Sequence, residues 1–117
     1  MVSIATFRKL ALSFPSSVEL PHFEVASFRV SKKIFATLNK KFNRCCLKLS
    51  VEDQSLFSSH DKSVIYPVPN KWGKQGWTLV ELKKVKVTLL KAMVAAAYTE
   101  VASKKTKPMR STTGSQY

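Results

Sequence analysis

The sequence is poor in glycine, acidic residues and histidine. Its 117 residues include three Gly, seven Asp+Glu and two His. The three glycines form neither the P-loop pattern nor the GxGxxG pattern of nucleotide-binding enzymes. His22 and His60 have neither zinc-ligand spacing nor a companion in an HExxH-type motif. We therefore expect a protein that is not an enzyme and that holds no metal, no cofactor and no small-molecule substrate.

Long apolar runs are also missing. No run approaches the roughly 20 apolar residues of a membrane span, and Arg8 and Lys9 interrupt the stretch where a signal peptide would be apolar. Cys45 and Cys46 are adjacent, so in a strand they would point to opposite faces and could not easily share a metal ion. We expect a cytoplasmic protein with two free thiols, one of them buried.

Positive charge is the property that the chain has in excess. Twenty Lys+Arg stand against seven Asp+Glu, giving a formal charge of +13. Such a balance favours an anionic partner, although solvated lysine also protects proteins from aggregation. Only four of the basic residues are Arg, which leaves little capacity for bidentate guanine recognition. The positive charge therefore favours phosphate contacts, and the small number of arginines favours contacts without sequence specificity.

The apolar pattern predicts one α+β domain over residues 1–103 and a basic, disordered tail over 104–117. We expect a curved antiparallel sheet of about five strands with helices on one face, in the order α-βββ-α-ββ-α. The predicted helices are 4–14, capped by Ser3 and stopped by Pro15, a short one from Ser50, and 85–101. The predicted loop, meander and final hairpin are 16–23, then 24–30, 34–39 and 44–50, and then 64–82.

The densest chemistry lies in the loop of the last hairpin, Asn70-Lys71-Trp72-Gly73-Lys74-Gln75-Gly76-Trp77. Its glycines suit sharp turns with positive φ. We expect Trp77 to pack in the core, and Trp72 to be exposed, where it could stack on a base. Prolines at 67 and 69 predict an edge position for the first arm of this hairpin.

Several short segments, in this order, resemble the MmcQ/YjbR family of small proteins. They are Leu10-Ala11-Leu12-Ser13-Phe14-Pro15, Phe28-Arg29-Val30-Ser31-Lys32-Lys33-Ile34-Phe35-Ala36, Leu47-Lys48-Leu49 with Glu52, Asn70-Lys71 with Trp77-Thr78 and Val80, and Tyr98. The resemblance spans about Phe7 to Ala102. It implies an α+β fold with two protruding hairpins, a double wing proposed to bind DNA.

Basic residues cluster at the turns, and these are the candidate nucleic-acid contacts: Lys32, Lys33, Lys40, Lys41, Arg44, Lys71, Trp72 and Lys74. Consecutive turns of a meander point to opposite ends of the sheet, so the turns at 31–33 and 39–44 cannot easily hold one short site. The 31–33 turn together with the 70–76 loop is the preferred pair of wings.

A second candidate region is the basic run at the start of the last helix, Lys83, Lys84, Lys86 and Lys91. The alternative to nucleic-acid binding is a protein-interaction module like the small secretion chaperones, which are often dimeric. The edges of the sheet away from Pro67 and Pro69 would be open for such a partner.

Overall fold

A computed structural model describes residues 2–104 of the chain. Four helices and six strands follow in the order α1 (Ile4–Leu12), β1 (Val18–His22), β2 (Val25–Val30), β3 (Lys33–Asn39), β4 (Arg44–Lys48), α2 (Val51–Ser58), β5 (Ile65–Pro67), α3 (Lys71–Lys74), β6 (Trp77–Glu81) and α4 (Val87–Lys104). The α+β class is confirmed. The predicted tail beyond residue 104 lies outside the described residues.

The six strands form one antiparallel sheet in the order β1-β2-β3-β4-β6-β5. One row of paired residues crosses five of the strands: Phe28, Ala36, Leu47, Thr78 and Pro67. β5 lies at one edge, as Pro67 predicts, because an edge strand needs no ladder hydrogen bond on its outer side.

One face of the sheet carries the core. Cys45 and Leu47 of β4 are buried there, while Cys46 between them points to the opposite face and is half-buried. Helices α1, α2 and α4 contribute Phe7, Phe57 and Leu90 to the same cluster. The helices therefore cover a single face of the sheet, as predicted.

The first strand contradicts the prediction of a loop over residues 16–23. β1 pairs with β2, and Pro21 stands opposite Ala26 within it. Proline is tolerated because β1 is an edge strand and pairs on one side only. The sheet consequently has six strands, and its two edges, β1 and β5, each contain a proline.

The starts of α1 and α2 follow the local signals, whereas α1 ends at Leu12, two residues before the predicted end at 14. The side chain of Ser3 accepts a hydrogen bond from the Thr6 amide, and Ser50 accepts one from the Asp53 amide, so both predicted N-caps are confirmed. Helix α4 begins two residues later than predicted and extends to Lys104. Among residues 2–104, we find no helix with the length and apolar character that crossing a membrane requires.

Candidate nucleic-acid interface

The strand register assigns each connection to one of two ends of the sheet. The end that carries the β2–β3 turn and the β5–β6 connection is called the Lys32 end. The end that carries the β1–β2 turn, the β3–β4 turn and the β6–α4 connection is called the Lys40 end. Because adjacent antiparallel strands alternate in direction, the basic clusters at 31–33 and 39–44 lie at opposite ends, as the sequence predicts.

A two-residue turn carries the basic residues between β2 and β3. Val30 pairs with Lys33, so the turn is Ser31-Lys32, and Lys33 is the first residue of β3 rather than part of the turn. Both turn residues have positive φ, 54° for Ser31 and 70° for Lys32. Turns of this kind favour Asn-Gly, because side chains with a Cβ are strained at positive φ. An exposed lysine therefore occupies a conformationally costly position.

The segment between β5 and β6 is the one-turn helix α3, not the open hairpin loop that the sequence predicts. The side-chain oxygen of Asn70 caps it, 2.8 Å from the Trp72 amide nitrogen. Lys71 and Lys74 are exposed on it. Trp72 is half-buried, so the expectation of an exposed ring is wrong, and the Lys71 ammonium lies 5.8 Å from the centre of its ring. Trp77 is buried, as predicted.

Close backbone approaches hold the segment 70–76 against the domain and explain its two glycines, Gly73 within α3 and Gly76 after it. A Cβ on Gly73 would lie 1.9 Å from the carbonyl oxygen of Val68, and one on Gly76 would lie 1.8 Å from that of Leu49. Gly76 also has a φ of +105°, whereas Gly73 is helical and has no positive φ. Only Gly76 therefore matches the predicted use of glycine for positive φ; Gly73 is required for close packing.

Gln54 of α2 fixes the same segment from inside and was not identified in the sequence. Its buried side-chain nitrogen is 2.9 Å from the carbonyl oxygen of Gly73, 3.1 Å from that of Trp77 and 3.1 Å from the Thr78 hydroxyl. These acceptors compete for its two protons. A glutamine in the middle of a short helix gives no signal of this role, because its partners follow 19 to 24 residues later.

The Lys40 end brings together lysines that are distant in sequence. The Leu82 amide donates a 2.9 Å hydrogen bond to the carbonyl oxygen of Asn43, which joins the β3–β4 turn to the β6–α4 connection. Exposed lysines at this end come from three segments: Lys40, Lys41, Lys62, Lys83, Lys84 and Lys86. The basic turn at 40–44 and the basic run that begins at Lys83 thus lie at the same end of the sheet.

Arg44 is the predicted contact whose charge is most clearly compensated. Its Nε donates a 2.9 Å hydrogen bond to the Glu81 carboxylate, and the Tyr66 hydroxyl donates to the same oxygen. Burial and the carboxylate raise the pKa of Tyr66. The three side chains stand on neighbouring strands of the sheet face opposite the core, so Arg44 serves first as a cross-strand partner.

The remaining reactive groups offer little chemistry. Burial raises the pKa of the Cys46 thiol to about 12, and burial raises that of Cys45 as well. Protonated thiols are weak nucleophiles and weak metal ligands. Within residues 2–104, there is no group of three or more His, Cys, Asp or Glu side chains placed to bind a metal ion.

Two comparisons with known proteins found a match, one by sequence and one by fold. The sequence profile of YjbR matches residues 12–100. The chain belongs to the YjbR family. The crystal structure of Deinococcus radiodurans protein DR2400, with domain DUF419, superimposes with a TM-score of 0.80 at 22% sequence identity. The alignment covers 92% of this chain and 84% of that one, and at this identity it establishes the fold.

The search of curated proteins gave no match to this YjbR-family chain. Its matched region, 12–100, includes both basic turns and the Gln54–α3 contact. At the Lys32 end, four lysines are exposed: Lys32 in the β2–β3 turn, Lys33 at the start of β3, and Lys71 and Lys74 on α3. The preferred pair of wings therefore lies on one end of the YjbR-family domain, while Lys40, Lys41 and Arg44 lie on the other.

Proposed function

We propose that the protein binds nucleic acid through its phosphates and catalyses no reaction, with the Lys32 end as the contact surface for duplex DNA. The observation that carries the proposal is the convergence of the β2–β3 turn and α3 on one end of the sheet. These segments are about 40 residues apart in sequence, and two pairs of exposed lysines stand in or beside them: Lys32 and Lys33, and Lys71 and Lys74.

The spacing of the two segments supports contact with a duplex. Three strand spacings separate the β2–β3 turn from the β5–β6 connection in the strand order. At about 4.8 Å per spacing, the two connections leave the sheet roughly 14 Å apart. That distance is comparable with the roughly 12 Å width of the B-DNA major groove, so the two lysine pairs could each contact one of its bordering phosphate backbones.

Lysine contacts of this kind position a protein without reading bases. Four of them predict a slope of log K against log salt of about −3.6 at most. Binding is therefore weak, strongly salt-dependent and nearly independent of sequence. Trp72, half-buried beside Lys71, is placed to report duplex binding by a change in emission rather than to insert between bases.

The deciding experiment is fluorescence-anisotropy titration of labelled 20-bp duplexes of two unrelated sequences between 50 and 200 mM salt. Lys71→Ala combined with Lys74→Ala should weaken binding to both duplexes equally and make the salt slope shallower by about 2. The matched control combines Lys9→Ala with Lys62→Ala, two exposed lysines that belong to neither the β2–β3 turn nor α3. Equal effects of the two pairs would reduce the binding to net charge and reject this surface.

A second candidate function, protein interaction, is favoured by the β1 edge. Two apolar residues of this edge strand are exposed to solvent, Val18 at 49% and Leu20 at 46%. Open strand edges pair readily with other chains, although Pro21 removes one donor. Light scattering distinguishes the candidates: a stable dimer that Leu20→Lys dissociates, with no duplex binding at 50 mM salt, would support interaction with a second copy.

A further inference from the structure

Two phenylalanines at the Lys40 end are exposed to solvent at turns. Phe23, in the β1–β2 turn, is 93% exposed, and Phe42, in the β3–β4 turn, is 54% exposed. Phe23 also has a φ of +59°, a conformation that glycine adopts freely and that is strained for a bulky side chain. An exposed ring on a strained backbone adds little to the stability of the fold. This combination indicates that Phe23 contacts a partner.

A groove of about 420 Å³ lies between these two turns. Its size falls within the range of about 300–1,000 Å³ that is typical of small-molecule sites. Phe23 and Glu24 line it on one side, and Lys40 and Lys41 line it on the other. Between them, apolar residues such as Leu20 and Val25 and the polar residues Glu19 and Asn39 complete the lining. The groove thus offers apolar surface, hydrogen-bonding groups and positive charge together.

Cations also surround the second exposed ring. The Lys41 ammonium is 5.7 Å and the Arg44 guanidinium 5.4 Å from the centre of the Phe42 ring. The Asn43–Leu82 hydrogen bond brings Lys83 and Lys84 next to this turn. A base would stack on Phe42 in place of these cations, and lysines beside an aromatic ring are the combination with which proteins hold unpaired bases and their phosphates.

We propose that the Lys40 end binds single-stranded nucleic acid, with one base in the groove against Phe23, a second on Phe42, and phosphates on Lys40, Lys41, Lys83 and Lys84. This inference rests on the proposed function for the class of partner, but it uses the opposite end of the sheet. The two surfaces would allow separate contacts with duplex and unpaired regions.

The polar lining of the groove suits a base. Glu24 is exposed, and Glu19 is paired with Arg8 at 2.7 Å. A carboxylate can accept a hydrogen bond from the amino group of cytosine. The position of the groove between two turns also leaves it open to a base from an unpaired strand.

The test is titration of labelled 12-nucleotide oligo(dC) and oligo(dT) and of the 20-bp duplex. Phe23→Gly suits the positive φ and removes the ring; Phe42→Ala removes the second ring. Each should weaken oligonucleotide binding by roughly 5- to 100-fold and leave duplex binding unchanged. Leu56→Ala is the control, because Leu56 is 61% exposed on α2. Trp emission should stay constant, since both tryptophans lie at the Lys32 end.

Circular dichroism and melting first establish that each variant is folded. Folded Phe23→Gly and Phe42→Ala proteins that bind oligonucleotides like the wild type would overturn the inference. Sedimentation with phosphatidylserine vesicles that depends on the two rings, without oligonucleotide binding, would also overturn it in favour of a membrane surface. Loss of duplex binding in Lys71→Ala/Lys74→Ala tests the proposed function separately, so the two can fail independently.

Discussion

The side-chain nitrogen of Gln54 lies 2.9 Å from the carbonyl oxygen of Gly73, and this hydrogen bond joins α2 to the short helix that carries Lys71 and Lys74. Gln54 is buried, so its amide would be costly without partners. The contact therefore both satisfies a buried polar group and sets the position of two candidate phosphate contacts. Contact surface and core are coupled through one side chain.

Replacing Gln54 with Leu should lower the free energy of unfolding by about 1–3 kcal/mol, because the carbonyl oxygens of Gly73 and Trp77 each lose one of two donors and a hydrogen bond contributes about 0.5–1.5 kcal/mol. Urea denaturation measures the change, and hydrogen exchange should show faster exchange in residues 71–76. Ser55→Ala, at an exposed position of the same helix, is the control and should shift stability by less than about 0.5 kcal/mol. A stable Gln54→Leu protein with unchanged exchange would show that α3 is held by other contacts.

Lys32→Gly should separate stability from binding. Glycine relieves the strain of the positive φ at this turn, so the free energy of unfolding should rise by about 0.5–1 kcal/mol. Removing the charge should at the same time weaken duplex binding and make its salt slope shallower by about 1. The control is Lys33→Gln, because Lys33 is the first residue of β3 and its replacement removes a charge without altering the turn.

If Lys32→Gly raised the melting temperature while duplex affinity stayed at the wild-type value, Lys32 would be excluded as a phosphate contact. Lower stability would instead mean that the turn does not adopt positive φ in solution. The two readouts thus test the conformation and the contact independently.

Gly76→Ala should be among the most destabilising single methyl additions in the chain. The new Cβ would meet the Leu49 carbonyl oxygen at 1.8 Å, and φ is +105°. Overpacking costs about 1–3 kcal/mol, and the backbone strain adds to this. Thermal melting measures the loss. A melting temperature within a degree of the wild-type value would contradict the close approach between Gly76 and the Leu49 carbonyl group.

Cys46 should make stability fall in alkaline solution. Its pKa is raised by burial to about 12 from a usual value of 9.0, against the effect of a backbone hydrogen bond with Thr78. Below pH 9 both folded and unfolded thiols are protonated, so the stability is fully present. Above pH 9 the unfolded thiol ionises while the folded one does not, and the free energy of unfolding falls until the folded thiol ionises near pH 12.

At pH 10.5 the loss from Cys46 should approach about 2 kcal/mol, at 1.36 kcal/mol per pKa unit. Urea denaturation of the wild type and of Cys46→Ala at pH 7.5 and 10.5 isolates this contribution, because the raised pKa values of Cys45 and Tyr66 affect both proteins. Parallel losses in the two proteins would show that Cys46 ionises freely when folded.

Local patterns predicted most of the elements and failed in two identifiable places. Ser3 and Ser50 were predicted as caps, and the alternation of Cys45, Cys46 and Leu47 predicted the faces of β4. Pro21 concealed β1, because a proline that disrupts an inner strand is acceptable at an edge, and edge position follows from pairing rather than from local sequence. Two glycines in 70–76 suggested an open loop, but one of them permits a tightly packed helix.

The α+β class, the opposite faces of Cys45 and Cys46, the excess of positive charge and its concentration at turns all follow from the sequence. These properties depend on side-chain periodicity and on residues close in the chain. Which turns lie at the same end of the sheet is visible only in the tertiary structure, because the position of each turn depends on the strand order β1-β2-β3-β4-β6-β5 and its register. The Gln54–Gly73 contact, the joining of Asn43 to Leu82 and the groove beside Phe23 all arise from that pairing of distant segments.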